Sequence, residues 1–296
     1  RSHEQFAGVL RYLREHDKAI EHASEVVRRG ETVGLPRDEE ILRNARLTLS
    51  DSRLRRRAPG DLEGMRELAL DAQRRMEATS PRSVAARENL SRLMLNYADG
   101  ILEFANEQNP ELRQEFPEFL TLGYELIADI PMGTSRSMLQ LNHLHANLLA
   151  RSGEWFRALE IYKELIPMID KAFEPHQSPW LNSQTSYLLL RAIYETRDAP
   201  PEQVDEILSD LRRLFELTRD RNFVHGAAPY SMVLWNAGRF EEVRDVSREI
   251  IAMGPEKPHT PRGAFEQAQV MLTELRQMHP DLFDVPATQP SAAEAD

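Results

Sequence analysis

A spacing of small and apolar residues around single glycines recurs along this 296-residue chain, and no other feature restricts its fold as much. Residues 145 to 164 read HANLLARSGEWFRALEIYKE. Ala146 precedes Gly153 by seven positions, and Trp155, Ala158 and Tyr162 follow it. The apolar period is helical on both sides of the glycine, so two helices fold back on one another there. Small residues let the pair approach, and aromatics fill the space between. A second copy, SMVLWNAGRFEEVRDVSREII at 231 to 251, sets Gly238, Phe240 and Val243 in the same slots. The interval between the two glycines holds two units of roughly forty residues, one of them worn, with Tyr194 closing its first helix and Val204 in the slot of Ala158.

This pattern resembles the tetratricopeptide repeat. Units of this length, followed by FEPHQSP at 173 to 179, are similar to the long variety of kinesin light chains. Glu174, Pro175, His176 and Pro179 match that family's turn loosely, and its leading glycine is absent. The resemblance covers 142 to 255 most specifically and extends to 7 to 77. It implies an all-α, right-handed superhelical solenoid over residues 1–279, with about six helix pairs and a C-terminal capping helix. Residues 280–296, rich in Pro, Ala and Ser, are expected to form a disordered tail.

Read in order, residues 4 to 32 form one pair, with Ala19 in the slot of Ala158 and His16 where the other copies carry an aromatic. Pro36 and Asp38 open a helix running to Arg57, and Ala58-Pro59-Gly60 breaks it. Leu62, Met65 and Ala72 then repeat the offsets from a glycine. Ser80-Pro81 starts a long helix to about Phe104, and Asn109-Pro110 ends it. Pro117 begins another helix that stops before Pro131. Pro200-Pro201 opens a helix cleanly. Pro167 is expected to kink or end its helix. Pro229 either kinks its helix or begins one of only about two turns. RGAFEQAQVMLTELRQM, at 262 to 278, is the capping helix.

A formal charge of −11 repels phosphate backbones and acidic membrane surfaces, so no nucleic-acid partner is expected. The absence of cysteine excludes disulfides and a cysteine nucleophile without settling the compartment. No apolar run approaches the roughly 20 residues of a membrane span; YLLLRAIY at 187 to 194 is among the longest. No signal peptide is visible, and a cytoplasmic location is expected. Arg1 is not an initiator methionine and the first residues already read as helical, so the chain is taken as a fragment.

There is no glycine-rich phosphate loop, no nucleophile elbow and no His-Glu-x-x-His helix, so no enzyme activity, cofactor or metal is expected. His143 and His145, two positions apart on a helix, point to nearly opposite sides and do not share a metal; one faces the groove and one packs. Glu256 and His259 have a ligand spacing, but Pro258 between them argues for a loop.

Arg53, Arg55, Arg56 and Arg57 form a dense basic cluster. It reads either as a docking patch for an acidic peptide or phosphate, or as a solvated helix C-terminus complementing the helix dipole. Polar stripes on the first helix of successive pairs are the candidate binding groove. Asn89, Arg92 and Asn96, continuing to Asp99, share one face. Gln140, His143 and Asn147 do the same in the next pair, then Gln184, Tyr187, Arg191 and Tyr194, then Met232 and Trp235. Such faces suit an extended peptide, amides bonding its backbone and aromatics and arginine taking its side chains. The other reading of the same stripes is ordinary solvation, with Tyr194 or Trp235 in the core between repeats. The carboxylate clamp of chaperone-binding members is incomplete, because His143 stands where a lysine is needed and Leu188 and Leu189 where an asparagine is needed.

The resemblance implies a non-catalytic scaffold for protein–protein interaction, holding an unidentified peptide or protein segment in its concave groove. Arrays of this long type also resemble those C-terminal to bacterial serine/threonine kinase domains. The alternative is therefore the regulatory or sensory arm of a larger signalling enzyme.

Overall fold

Each glycine-centred turn joins two helices, and the chain is all-helical. The computed structural model describes residues 2–35, 40–79, 83–175, 177–196, 199–219, 227–254 and 262–283. Among them there are thirteen α-helices and no strand. The first eight are α1 (Ser2–Tyr12), α2 (His16–Thr32), α3 (Glu40–Arg56), α4 (Asp61–Thr79), α5 (Val84–Gln108), α6 (Phe116–Glu125), α7 (Arg136–Arg151) and α8 (Trp155–Ala172). The remainder are α9 (Ser178–Glu195), α10 (Pro201–Arg219), α11 (Ala227–Asn236), α12 (Phe240–Met253) and α13 (Arg262–Met278). The chain divides into two compact units, residues 1–172 and 173–296.

Three of the hairpins close by the same three-residue turn. Gly153 and Gly238 adopt φ of 93° and 70°, the left-handed conformation that glycine reaches without steric cost. The amide after each reaches back five residues: Glu154 N to Leu149 O and Arg239 N to Leu234 O, both at 2.9 Å. This is the Schellman closure, which satisfies carbonyls orphaned at a helix end. Arg14 stands in the same position between α1 and α2, with φ 63°, and Glu15 N reaches Leu10 O at 2.9 Å. An L-residue pays a steric penalty in that conformation. Arg14→Gly is therefore expected to raise stability by about 1 kcal/mol in urea unfolding.

The same slots are buried around these turns. Ala7, Ala146 and Ser231, seven positions before the turn residue, are at most 2% exposed. Ala19, Ala158 and Val243, five positions after it, are fully buried. Ala158→Leu has no room for its added atoms and should cost roughly 1–3 kcal/mol, read as a lowered melting temperature. The α3–α4 turn is longer and takes another form: Arg57 and Gly60 both have positive φ, and Ser52 takes the small buried slot. Asp61, 1% exposed, closes this turn by accepting from Ala58 N at 2.7 Å and from Arg56 Nε at 3.0 Å and Nη2 at 2.5 Å.

Prolines and serines set several helix starts. Ser83 and Ser135 cap α5 and α7, accepting from Ala86 N at 3.2 Å and Met138 N at 3.0 Å. α5 runs to Gln108, past the expected end at Phe104, because Phe104 and Ala105 still face the core. Pro110–Glu115 is a 3₁₀ turn leading directly into α6. Of the two expected outcomes at Pro167, an end to α8 is not seen; the helix continues to Ala172. The lost bond to the Lys163 carbonyl is local, whereas fully buried Leu165 and Ile169 hold the helix on both sides. Pro229 lies in the first turn of α11, which has ten residues rather than two turns. The expected helix starts at Pro36 and at Ser80-Pro81 lie outside the described residues, as does the Glu256–His259 loop.

In the first unit the first helices lie side by side, α1 with α3, α3 with α5 and α5 with α7. Ala7, Ala23, Val26, Leu42, Ala45 and Leu49 form the core at its N-terminal end. In the second unit α9, α10, α11, α12 and α13 surround a core containing Leu188, Leu211, Phe215, Val233, Val243 and Leu275. Packed chain continues beyond the expected boundary at 279: Pro280–Phe283 is a 3₁₀ turn. The guanidinium carbons of Arg276 and Arg248 lie 4.9 and 5.6 Å from the Phe283 ring centroid. Arg244 Nη1 donates to the Leu282 carbonyl at 2.8 Å. Leu282 and Phe283 are the large apolar residues that a composition-based reading of the tail passes over. The rest of that expected tail, 284–296, lies outside the described residues.

Candidate functional site

The polar stripe of α5 does not simply face water; it reaches sideways to both neighbouring first helices. Asn96 is 3% exposed and donates from Nδ2 to Ser50 Oγ at 3.2 Å and Asp51 Oδ1 at 2.6 Å. Asp51 also takes Arg11 Nη1 at 2.5 Å, so a relay crosses α1, α3 and α5. Asn96 is thus an internal tie, where the sequence placed it among groove-lining amides. On the other side Arg92 Nη2 donates to Gln140 Oε1 of α7 at 3.4 Å. Asp99 pairs with Arg151, which also meets Glu103 at 2.6 Å, and Glu103 holds Arg57, just past the end of α3, at 2.7 Å. Burial pushes the Asp99 carboxyl above its ordinary pKa, and the Arg151 guanidinium opposes that shift. Asn89 is half-buried and bonds back to the Ala85 carbonyl at 2.8 Å.

On α7 the two histidines separate as their spacing requires, but neither is simply groove-facing. His145 is 3% exposed and stacks on Tyr124, with centroids 4.2 Å apart and planes at 11°. His143 Nδ1 lies 3.0 Å from the Tyr162 hydroxyl of α8. Burial pushes both imidazoles down to about 4, with Arg92 adding to the shift of His143 and Arg157 to that of His145. Gln140 and Asn147 are partly exposed on this helix.

In the second unit Arg191 is a hub within its own hairpin. It meets Glu195 at 2.8 Å, Glu206 at 3.1 Å and Asp210 at 3.2 Å, and its guanidinium carbon lies 5.7 Å from the Tyr187 ring centroid. This is a structural network joining α9 to α10, and it occupies the arginine read from the sequence as an anchor. Tyr187, Met232 and Trp235 are partly buried against the second core, and Trp235 stands edge-on to Phe240 at 5.7 Å. Gln184 is partly buried, and Tyr194 is 42% exposed.

The basic cluster at the end of α3 resolves into different roles. Arg56 pairs with Asp61 and Asp17, Arg57 with Glu103, and Arg55 is exposed. Arg53 turns instead into a cavity of about 330 Å³ between α2, α3 and α4. Sequence reasoning missed this cavity; the available signal was Gly64, a glycine inside an otherwise regular helix. It also missed the partly buried Tyr97–Glu115–Arg66 knot, whose members are distant in sequence. Among the described residues no group of three or more His, Asp or Glu could hold a metal ion, and no helix is long and apolar enough to cross a membrane.

No protein-family model matches the chain, and no curated protein matches it significantly.

Proposed function

We propose that the chain is a non-catalytic protein-interaction module of the tetratricopeptide kind. In this reading its helix pairs stack as a right-handed superhelix, and the first-helix faces receive an extended segment of a partner protein. The observation that carries the reading is the repeated hairpin: three identical Schellman turns with small residues buried at the same offsets on either side. A chain built so has its first helices adjacent, as α1, α3, α5 and α7 are. With Asn96 and Arg191 engaged inside the protein, recognition falls to the more accessible positions, Arg92, Gln140, Asn147, Gln184 and Tyr194 among them.

The test is positional. A photo-crosslinking residue replaces Gln140 or Tyr194 on first helices, or Lys163 or Arg212 on exposed second-helix faces, and each variant is presented with a library of extended peptides. Crosslinks are expected from the first two positions and not from the last two. The reverse distribution would move the site to the second helices, and a library with no retained peptide would remove the reading.

A further inference from the structure

The cavity at Arg53 is lined by none of the stripe residues named above, and its role does not depend on the reading above. Its floor is apolar, formed by Val27, Leu49 and Leu68. Around that floor stand four guanidinium groups and three carboxylates, Glu31, Glu67 and Asp71. Three of the arginines are already matched. Arg28 holds Glu25 at 2.7 Å, Arg46 meets Glu31 at 3.5 Å and Asp71 at 3.8 Å, and Arg74 lies 3.9 Å from Asp71. Arg53 has no side-chain hydrogen bond or ion pair among the described residues; Asp61 and Glu67 act on it only through space.

The position of Arg53 depends on a missing side chain. A Cβ on Gly64 would fall 2.4 Å from the Arg53 Cζ and Nη1 atoms, so the guanidinium lies directly over bare backbone of α4. Burial is the largest influence on it, and it opposes the charge. A desolvated guanidinium keeps five donors in a planar fork suited to a carboxylate. The cavity volume of about 330 Å³ is at the lower end of small-molecule sites, and its lining joins a small apolar floor to a charged rim.

We propose that this cavity binds a small monocarboxylate with an apolar body. Arg53 takes the carboxylate, and Val27, Leu49 and Leu68 cover the hydrocarbon. A monocarboxylate brings one negative charge to the one lining guanidinium that no carboxylate pairs among the described residues. A phosphate dianion would bring a second charge against Glu31, Glu67 and Asp71. The apolar floor gives a compact branched chain a dry surface, which a bare inorganic anion does not use.

Isocaproate, its neutral amide and inorganic phosphate test this on the full chain, with amide-proton NMR shifts as the readout. Isocaproate is expected to produce saturable shifts at Val27, Gly64 and Leu68, and the amide and phosphate are expected to bind at least about tenfold more weakly. Arg53→Gln should lose about tenfold in affinity. Glu67→Gln should gain affinity, because it removes a carboxylate facing Arg53, and a purely structural role for the arginine predicts no such gain. Should Arg53→Gln fail to fold, Gly64→Ala, which displaces the guanidinium while favouring the helix, carries the same expected loss. Equal binding of acid and amide, equal binding of phosphate, or no saturable shift in the wild-type chain would each overturn the assignment.

Discussion

Tyr97→Ala is expected to lower stability by about 3–5 kcal/mol, the usual cost of deleting a large buried aromatic side chain. Tyr97 is fully buried in α5 and stands edge-on to Phe119 of α6, with centroids 4.9 Å apart and planes at 84°. Its hydroxyl donates to Glu115 Oε2 at 2.8 Å. Glu115 also accepts from Arg66 Nε of α4, 2.9 Å from each oxygen, so one carboxylate ties α4, α5 and the 3₁₀ turn before α6. That Arg66 contact holds the Glu115 carboxyl below its ordinary pKa against burial, with the Tyr97 bond helping. Burial, followed by the bond to Glu115, pushes the Tyr97 phenol well up, so it stays a donor. Tyr97→Phe keeps the ring and leaves Glu115 to Arg66, and should cost only about 1 kcal/mol. Urea unfolding of both variants separates the two contributions; equal losses would show that the hydroxyl, and not the ring, carries the site.

Acid is expected to destabilise the protein through its neutral histidines. His145 has a folded pKa of about 4 against 6.5 unperturbed. Its folded value is depressed, so between those limits the unfolded chain binds the proton and the folded chain does not. The histidine contribution is therefore absent as a penalty above pH 6.5 and grows as pH falls towards 4. At pH 5 the loss from His145 alone is about 2 kcal/mol. His143, also pushed down to about 4 by burial, adds a contribution of the same sign. His145→Phe keeps an aromatic stack on Tyr124 without a proton to bind. Unfolding free energies at pH 7.5 and pH 5 should differ by about 2 kcal/mol less in this variant than in the wild type. An unchanged difference would place the acid sensitivity in other groups.

The hairpins were legible because their chemistry is local. A Schellman turn asks for glycine, and Gly153 and Gly238 announce it. The first hairpin was legible only from Ala19, since Arg14 occupies the left-handed position and no sequence rule marks an arginine for it. The first-helix faces were legible as faces, because Asn89, Arg92, Asn96 and Asp99 follow one helical stripe. What those faces touch was not. Asn96 meets Asp51 and Asp99 meets Arg151 across roughly fifty residues of chain, and periodicity carries no information over that distance. An end to the helix at Pro167 was expected for the opposite reason: a local rule was applied where burial of Leu165 and Ile169 prevails. The cavity at Arg53 combines both difficulties, needing three helices in place before the glycine and the arginine meet.

The lateral relays give residues 1–172 a direction of mechanical yield. Inside a hairpin the join is apolar and close-packed, and salt does little to it. Between neighbouring first helices part of the join is ionic, through Arg11–Asp51 and Arg57–Glu103–Arg151. Charges at such exposed sites are screened over about 8 Å at physiological ionic strength. Each pair contributes less than about 1 kcal/mol, so the layer loosens in small increments and not by a single break. Rising salt therefore softens the sliding of one hairpin past the next while leaving each hairpin stiff. Within residues 1–172 the contacts that respond to surrounding ions are therefore the pairs between neighbouring first helices, and not the apolar joins inside each hairpin.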